Sequence, residues 1–89
     1  MGSKTRQKPK FLAKKLAKIR VSLGLSQNEM IQKLGLEDQL VRSTISAFER
    51  GVREPSYVIL LKYARTVGIS TDVLIDDELK LERYLRSRK

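Results

Sequence analysis

Apolar residues recur along this chain at helical spacing. Leu12, Leu16, Ile19 and Leu23 fall at i, i+4, i+7 and i+11, which lines one face of a first helix. Lys14, Lys15 and Lys18 take the other face, and Gly24 is a stop signal just past the stripe. Ser26 opens a second segment with Glu29 three residues on. In that pattern each side chain satisfies the other residue's backbone N–H. Met30, Ile31 and Leu34 supply its buried face and Gly35 ends it, so the second helix runs from about Gln27 to Leu34. The third helix has two readings. Asp38 caps it, with Val41, Ile45 and Phe48 on one side, or it starts nearer Arg42 after a loop; either way it ends at Arg50 before Gly51. Pro55 suits the start of a fourth helix capped by Ser56, with Tyr57, Leu60, Leu61, Ala64 and Val67 as its buried stripe and Gly68 after it. Ser70 or Thr71 caps a fifth, with Asp72 at its positive end and Val73, Leu74 and Ile75 turned inward. Beyond the acidic cluster Asp76-Asp77-Glu78, the residues Leu79, Leu81 and Leu85 settle into no single period. The tail from Glu78 is therefore a sixth helix or partly disordered. No strand pattern or internal repeat appears. The pattern predicts an all-α fold of five short helices around one core: a basic arm over 1–9, a folded domain over 10–76 and a tail over 77–89.

Composition narrows the chemistry. The chain has 89 residues, one domain's worth, and a domain of this size buries only about 60% of its unfolded surface. It has no cysteine and no histidine. Disulfides, thiolate or imidazole metal sites, a Ser-His-Asp triad and a Cys-His pair are excluded. Asp76, Asp77 and Glu78 have no nucleophile beside them and lack the ligand spacing of a cation loop. No enzyme activity and no cofactor are expected. The net charge is +9, and it is uneven. Residues 1–20 hold eight cations (Lys4, Arg6, Lys8, Lys10, Lys14, Lys15, Lys18, Arg20) and no acid, while residues 21–89 are nearly balanced. A basic leading end on a near-neutral domain points to a polyanion, either nucleic acid or an anionic membrane surface. The longest apolar run, Val58–Leu61, is far short of the roughly 18 residues of a membrane span. The cytoplasm is the default compartment. A membrane-surface role needs the leucine face of the first helix exposed, and the core requires that face.

Two short helices joined by a glycine-containing turn are a generic helix-turn-helix signal, weak by itself. The third helix adds chemistry: Arg42, Ser43, Thr44 and Ser46 at its leading end, Ile45 and Phe48 within. A helix that enters a major groove needs such a narrow surface, with donors and acceptors and no bulky apolar groups.

The motifs Ile19-Arg20, Leu23-Gly24-Leu25-Ser26-Gln27-Asn28-Glu29, Leu34-Gly35, Arg42-Ser43-Thr44-Ile45-Ser46, Phe48-Glu49-Arg50-Gly51, Glu54-Pro55-Ser56, Leu60-Leu61-Lys62-Tyr63-Ala64 and Val67-Gly68-Ile69-Ser70 follow in order. From Phe11 to about Ile75 the chain resembles the Cro/repressor-type helix-turn-helix domain, also called the xenobiotic-response-element (XRE) family. The resemblance implies a sequence-specific double-stranded-DNA-binding regulator of transcription. It implies DNA contacts at Gln27, Asn28, Gln39, Arg42, Ser43, Thr44, Ser46, Ala47 and Arg53. Gln27 would hold a phosphate at the start of the second helix, and Arg42, Ser43, Ser46 and Ala47 would face base edges. Arg53 matches a backbone-contacting loop position. Arg20 and Glu49 match an ion pair that braces the first helix against the third. The chain departs from the family in one place. Five residues, Glu37 to Val41, stand where the family has about two, an excess near one helical turn. Either the third helix is lengthened at its groove end, giving a recognition helix from about Gln39 to Arg50, or the extra residues form a loop.

Helix-turn-helix proteins commonly pair to read two half-sites. A homodimer is expected through the fifth helix and tail, at Val73, Ile75, Leu79, Leu81 and Leu85. The alternative function is a protein-interaction module, antitoxin-like, in which the acidic Glu37-Asp38 and Asp76-Asp77-Glu78 segments suit a basic partner.

Overall fold

A computed structural model describes residues 9–85; most of the expected basic arm, 1–8, and the end of the tail, 86–89, lie outside the described residues. Six helices follow in chain order: α1 (Leu12–Ser22), α2 (Gln27–Leu34), α3 (Arg42–Arg50), α4 (Tyr57–Thr66), α5 (Thr71–Ile75) and α6 (Leu81–Leu85). The described residues include no strand. Side chains from every helix meet in one core, with Leu16, Ile19, Met30, Ile45, Tyr63, Ala64 and Leu74 fully buried at its centre.

Helix boundaries follow local chemistry. At α2 the Ser26 hydroxyl accepts from the Glu29 N–H at 3.0 Å, and a Glu29 carboxylate oxygen accepts from the Ser26 N–H at 2.8 Å. Two donors that the helix leaves unpaired are thereby satisfied. Gly35 ends α2 at φ 72°, in the left-handed region where a side chain is strained.

The third helix starts at Arg42, so the helix expected to read DNA does not reach back to Gln39. Glu37, Asp38 and Gln39 form a turn. The N–H groups of Gln39 and Leu40 both donate to the Leu36 carbonyl at 2.9 Å. Leu36 is buried and Leu40 packs against the core. A tight turn brings both leucines to the same interior, and the extended backbone of Val41 (φ −121°, ψ 167°) then redirects the chain into α3.

Three burial expectations are corrected. Ile75, expected to turn inward with Val73 and Leu74, is 43% exposed. In α4 the buried stripe is Leu60, Tyr63, Ala64 and Val67, at i, i+3, i+4 and i+7. Leu61 faces outward. Tyr57 shares the phase of the stripe, but it lies in the leading turn, which no neighbouring element covers, and it is 80% exposed. Lys15 does not share the solvent face of Lys14 and Lys18. It is buried, and its ammonium donates to the carbonyls of Val73 (2.8 Å), Leu79 (2.9 Å) and Asp76 (3.0 Å). A cation suits that place, because the last carbonyls of α5 lack helical partners. In return the Asp77 carboxylate accepts from the N–H groups of Lys10 and Phe11 ahead of α1. These N–H groups hold the Asp77 pKa below its ordinary value.

This exchange closes the tail onto α1, and α6 follows as a sixth helix with Leu81 in the core. The surface expected to make a dimer is thus largely internal. Val73 and Leu81 are buried, Leu79 and Leu85 pack against the core, and Ile75 alone of the five is exposed.

Candidate nucleic-acid interface

The interface is built from α2, the 35–41 turn and α3. Ile45 and Phe48 anchor α3 in the core. The opposite side leaves Arg42, Ser43 and Arg50 exposed and Ser46 and Ala47 half-buried. This edge is short and hydrogen-bonding, with one methyl among guanidinium and hydroxyl groups. Thr44 is not part of it. It lies on the buried side beside Ile45, at 9% exposure, so the contact expected of its hydroxyl is withdrawn. Gln39 sits exposed in the turn, off the helix. Arg50, outside the expected set, belongs to the edge. It lies four residues after Ser46, and its Nε donates to the Ser46 hydroxyl at 3.2 Å. The i, i+4 spacing was the signal that would have found it.

Arg20 and Glu49 lie together between α1 and α3. Arg20 Nε reaches one carboxylate oxygen at 2.8 Å and a terminal nitrogen reaches the other at 3.1 Å, a forked geometry. The second terminal nitrogen donates to the Leu25 carbonyl at 2.8 Å, just ahead of α2. The bond to Glu49 raises the Arg20 pKa. Glu49 also accepts from the Gln27 side-chain amide at 3.3 Å. One carboxylate therefore ties α1, the start of α2 and the end of α3. Gln27 is left with its backbone N–H, rather than its amide, as the group best aimed at an anion. Tyr63 packs beneath this network. Burial raises its pKa, and its hydroxyl has no partner among the described residues.

Asn28, Glu37, Val41 and Arg42 line one shallow hollow between α2 and the turn. The inserted turn thus sets an acid at the margin of the polar edge. At the other end of α3, Arg53 shares a hollow with Pro9 and Lys10. The described chain therefore begins beside the expected backbone-contacting loop.

The helix-turn-helix domain family matches residues 13–80. The chain belongs to this family. Two consecutive helices joined by a turn, α2 and α3, lie within the matched residues. A crystal structure of the hypothetical transcription factor NHTF from Neisseria is similar. The TM-score is 0.63 at 25% identity, over 91% of this chain and 93% of that one. Comparison with curated proteins gives no match. A helix-turn-helix domain with this likeness is a DNA-binding regulator in its general class. Among the described residues no helix is long and apolar enough to cross a membrane, and no group of three or more Asp or Glu residues is placed to hold a metal ion.

Proposed function

We propose that this protein is a sequence-specific, double-stranded-DNA-binding regulator of transcription of the Cro/repressor type, acting in the cytoplasm as a homodimer. The observation that carries this reading is the two-sidedness of α3. Ile45 and Phe48 hold it in the core, and Arg42, Ser43, Ser46, Ala47 and Arg50 form its free edge. α3 enters the major groove. Arg42, at the leading end, takes guanine O6 and N7; Ser43 and Ser46 offer hydroxyls; Ala47 meets a thymine methyl. The Gln27 N–H at the start of α2 and the Arg53 side chain take phosphates, which set the register without reading sequence. Asn28 stands beside Gln27 at the same helix start. Lys4, Arg6 and Lys8 precede Lys10, which lies against the Arg53 loop, and they add long-range attraction to the same polyanion.

Selection of duplexes from a random pool tests this reading. The expected product is an enriched site with two related halves about one DNA turn apart. Arg42→Ala should relax preference at one base pair, at a cost of about 1–3 kcal/mol, whereas Arg53→Ala should weaken all sites alike. A pool with no enrichment, and binding that does not fall with added salt, would refute DNA recognition.

A further inference from the structure

A groove of about 330 Å³ lies between α1 and the returning tail. Phe11, Lys14 and Lys18 fall at i, i+3 and i+7 on the α1 side, and Leu79 to Glu82 form the facing wall. Both ends are tied. At one, the Asp77 carboxylate accepts from the N–H groups of Lys10 and Phe11. At the other, Lys18 meets Glu82 at 3.1 Å. Phe11 and Lys18 stand about 10 Å apart along the helix axis, so the ties frame an opening of that length. Its floor is apolar. Leu81 is buried, Leu79 packs against the core, and Phe11 beside them is 42% exposed. Its rim is cationic. Four lysines and two carboxylates line the groove, and most of them are engaged. Asp77 holds backbone N–H groups and Glu82 holds Lys18. Lys15 has three N–H donors, and all three meet carbonyls. Lys14 and Lys80 remain, both exposed and without a hydrogen-bond or ion partner among the described residues.

We propose that this groove binds a small aromatic carboxylate. The ring lies on the apolar floor against Phe11, where offset or edge-on packing of two rings is favourable. The carboxylate meets Lys14 and Lys80 at the rim in charge-assisted hydrogen bonds. The two free lysines name the charge of the occupant, and the floor names its body. A bare anion would leave Phe11 and Leu79 in water, and a neutral ring would leave both lysines unpaired. The volume is at the lower end of the roughly 300–1,000 Å³ of small-molecule sites, which suits a ligand of one or two rings. The chain's own ends do not match this rim, because residues 1–8 and 86–89 carry only cations among their charged side chains. The groove shares no residue with the polar edge of α3. The proposal therefore does not rest on the DNA reading, and its test uses no DNA.

The test is a titration of the isotope-labelled full chain with naphthoate, followed by amide NMR. Shifts should saturate with a Kd of roughly 1 mM or below. They should concentrate in residues 11–18 and 77–82 and leave the α3 edge unmoved. Naphthamide keeps the rings and lacks the charge, and should bind about tenfold more weakly. Inorganic phosphate should give no saturable shift in the groove. Octanoate, with the charge and no ring, should also bind more weakly than naphthoate. Lys14 and Lys80 are exposed, so replacing them leaves the core intact. Lys14→Gln and Lys80→Gln should each weaken naphthoate several-fold and together about tenfold or more, without changing naphthamide binding. Phe11→Ala keeps the N–H that Asp77 holds and should weaken both ring ligands alike. Circular dichroism verifies that each variant is folded. A naphthoate titration with no saturable shift in these residues overturns the proposal, as does a double lysine variant that binds like wild type. Naphthamide binding as tightly as naphthoate overturns the charge match, and octanoate binding as tightly overturns the aromatic assignment.

Discussion

The two polar connections that hold α1 in place differ in kind. Toward α3, Arg20 meets Glu49 side chain to side chain, and Gln27 joins them. Toward the tail, Lys15 and Asp77 each grip backbone, three carbonyls on one side and two N–H groups on the other, and the side-chain pair there, Lys18 with Glu82 at 3.1 Å, is solvent-exposed on both partners. The first connection depends on which residues face each other, so it fixes the angle at which α3 presents its free edge. The second needs only a cation and a carboxylate at chain ends that have unpaired backbone groups, whatever residues carry them. A side-chain pair fixes orientation; a side-chain grip on backbone closes a terminus.

The largest effect that would probe this contrast is at Glu49, which is nearly buried while Arg20 keeps partial exposure. Glu49→Ala leaves a guanidinium without its partner and frees Gln27. It should cost roughly 3 kcal/mol in urea unfolding, and DNA affinity should fall further than stability accounts for. A loss under about 1 kcal/mol would reduce the brace to an ordinary surface pair. Next is Lys15→Met, which keeps the aliphatic stem and removes the ammonium. Three carbonyls lose a charged donor, at a cost of about 2–3 kcal/mol. Amide exchange should quicken over 73–81 while the α2–α3 region stays protected. Uniform loss of protection would mean that the two connections are not separable.

A smaller effect, of opposite sign, is expected beneath the brace. Tyr63→Phe removes a buried hydroxyl that has no partner among the described residues, and should stabilise the fold by about 1 kcal/mol. Destabilisation would show that the hydroxyl is satisfied and belongs to the network. The smallest effect is at Asp77. Backbone N–H groups hold its pKa below the ordinary carboxylate value, so it binds fewer protons folded than unfolded. Its contribution is present above its unfolded pKa, about 4, and is lost as pH falls through the lower folded value. Thermal midpoints measured down the acid limb should therefore fall less steeply for Asp77→Asn than for wild type. Identical slopes would place the acid sensitivity elsewhere, Glu82 being the next carboxylate with a lowered pKa.

The amino-acid order alone determined the helical class, the Ser26–Glu29 cap, the span of α2 and the inner face of α3. Each follows from spacing within a single helix, where rotation per residue is constant and neighbours in sequence are neighbours in space. The Arg20–Glu49 pair was legible only through family resemblance, because no local rule links residues that far apart. Tertiary structure decided the rest. It turned 37–39 into a loop, because Leu36 and Leu40 both reach the core, and that left Gln39 outside the third helix. It buried Thr44 and exposed Leu61, since which arc of a helix is covered depends on what packs against it. It drew Lys15 inward and folded the leucines of the tail onto α1, because unpaired carbonyls at the end of α5 are a destination that a sequence does not display.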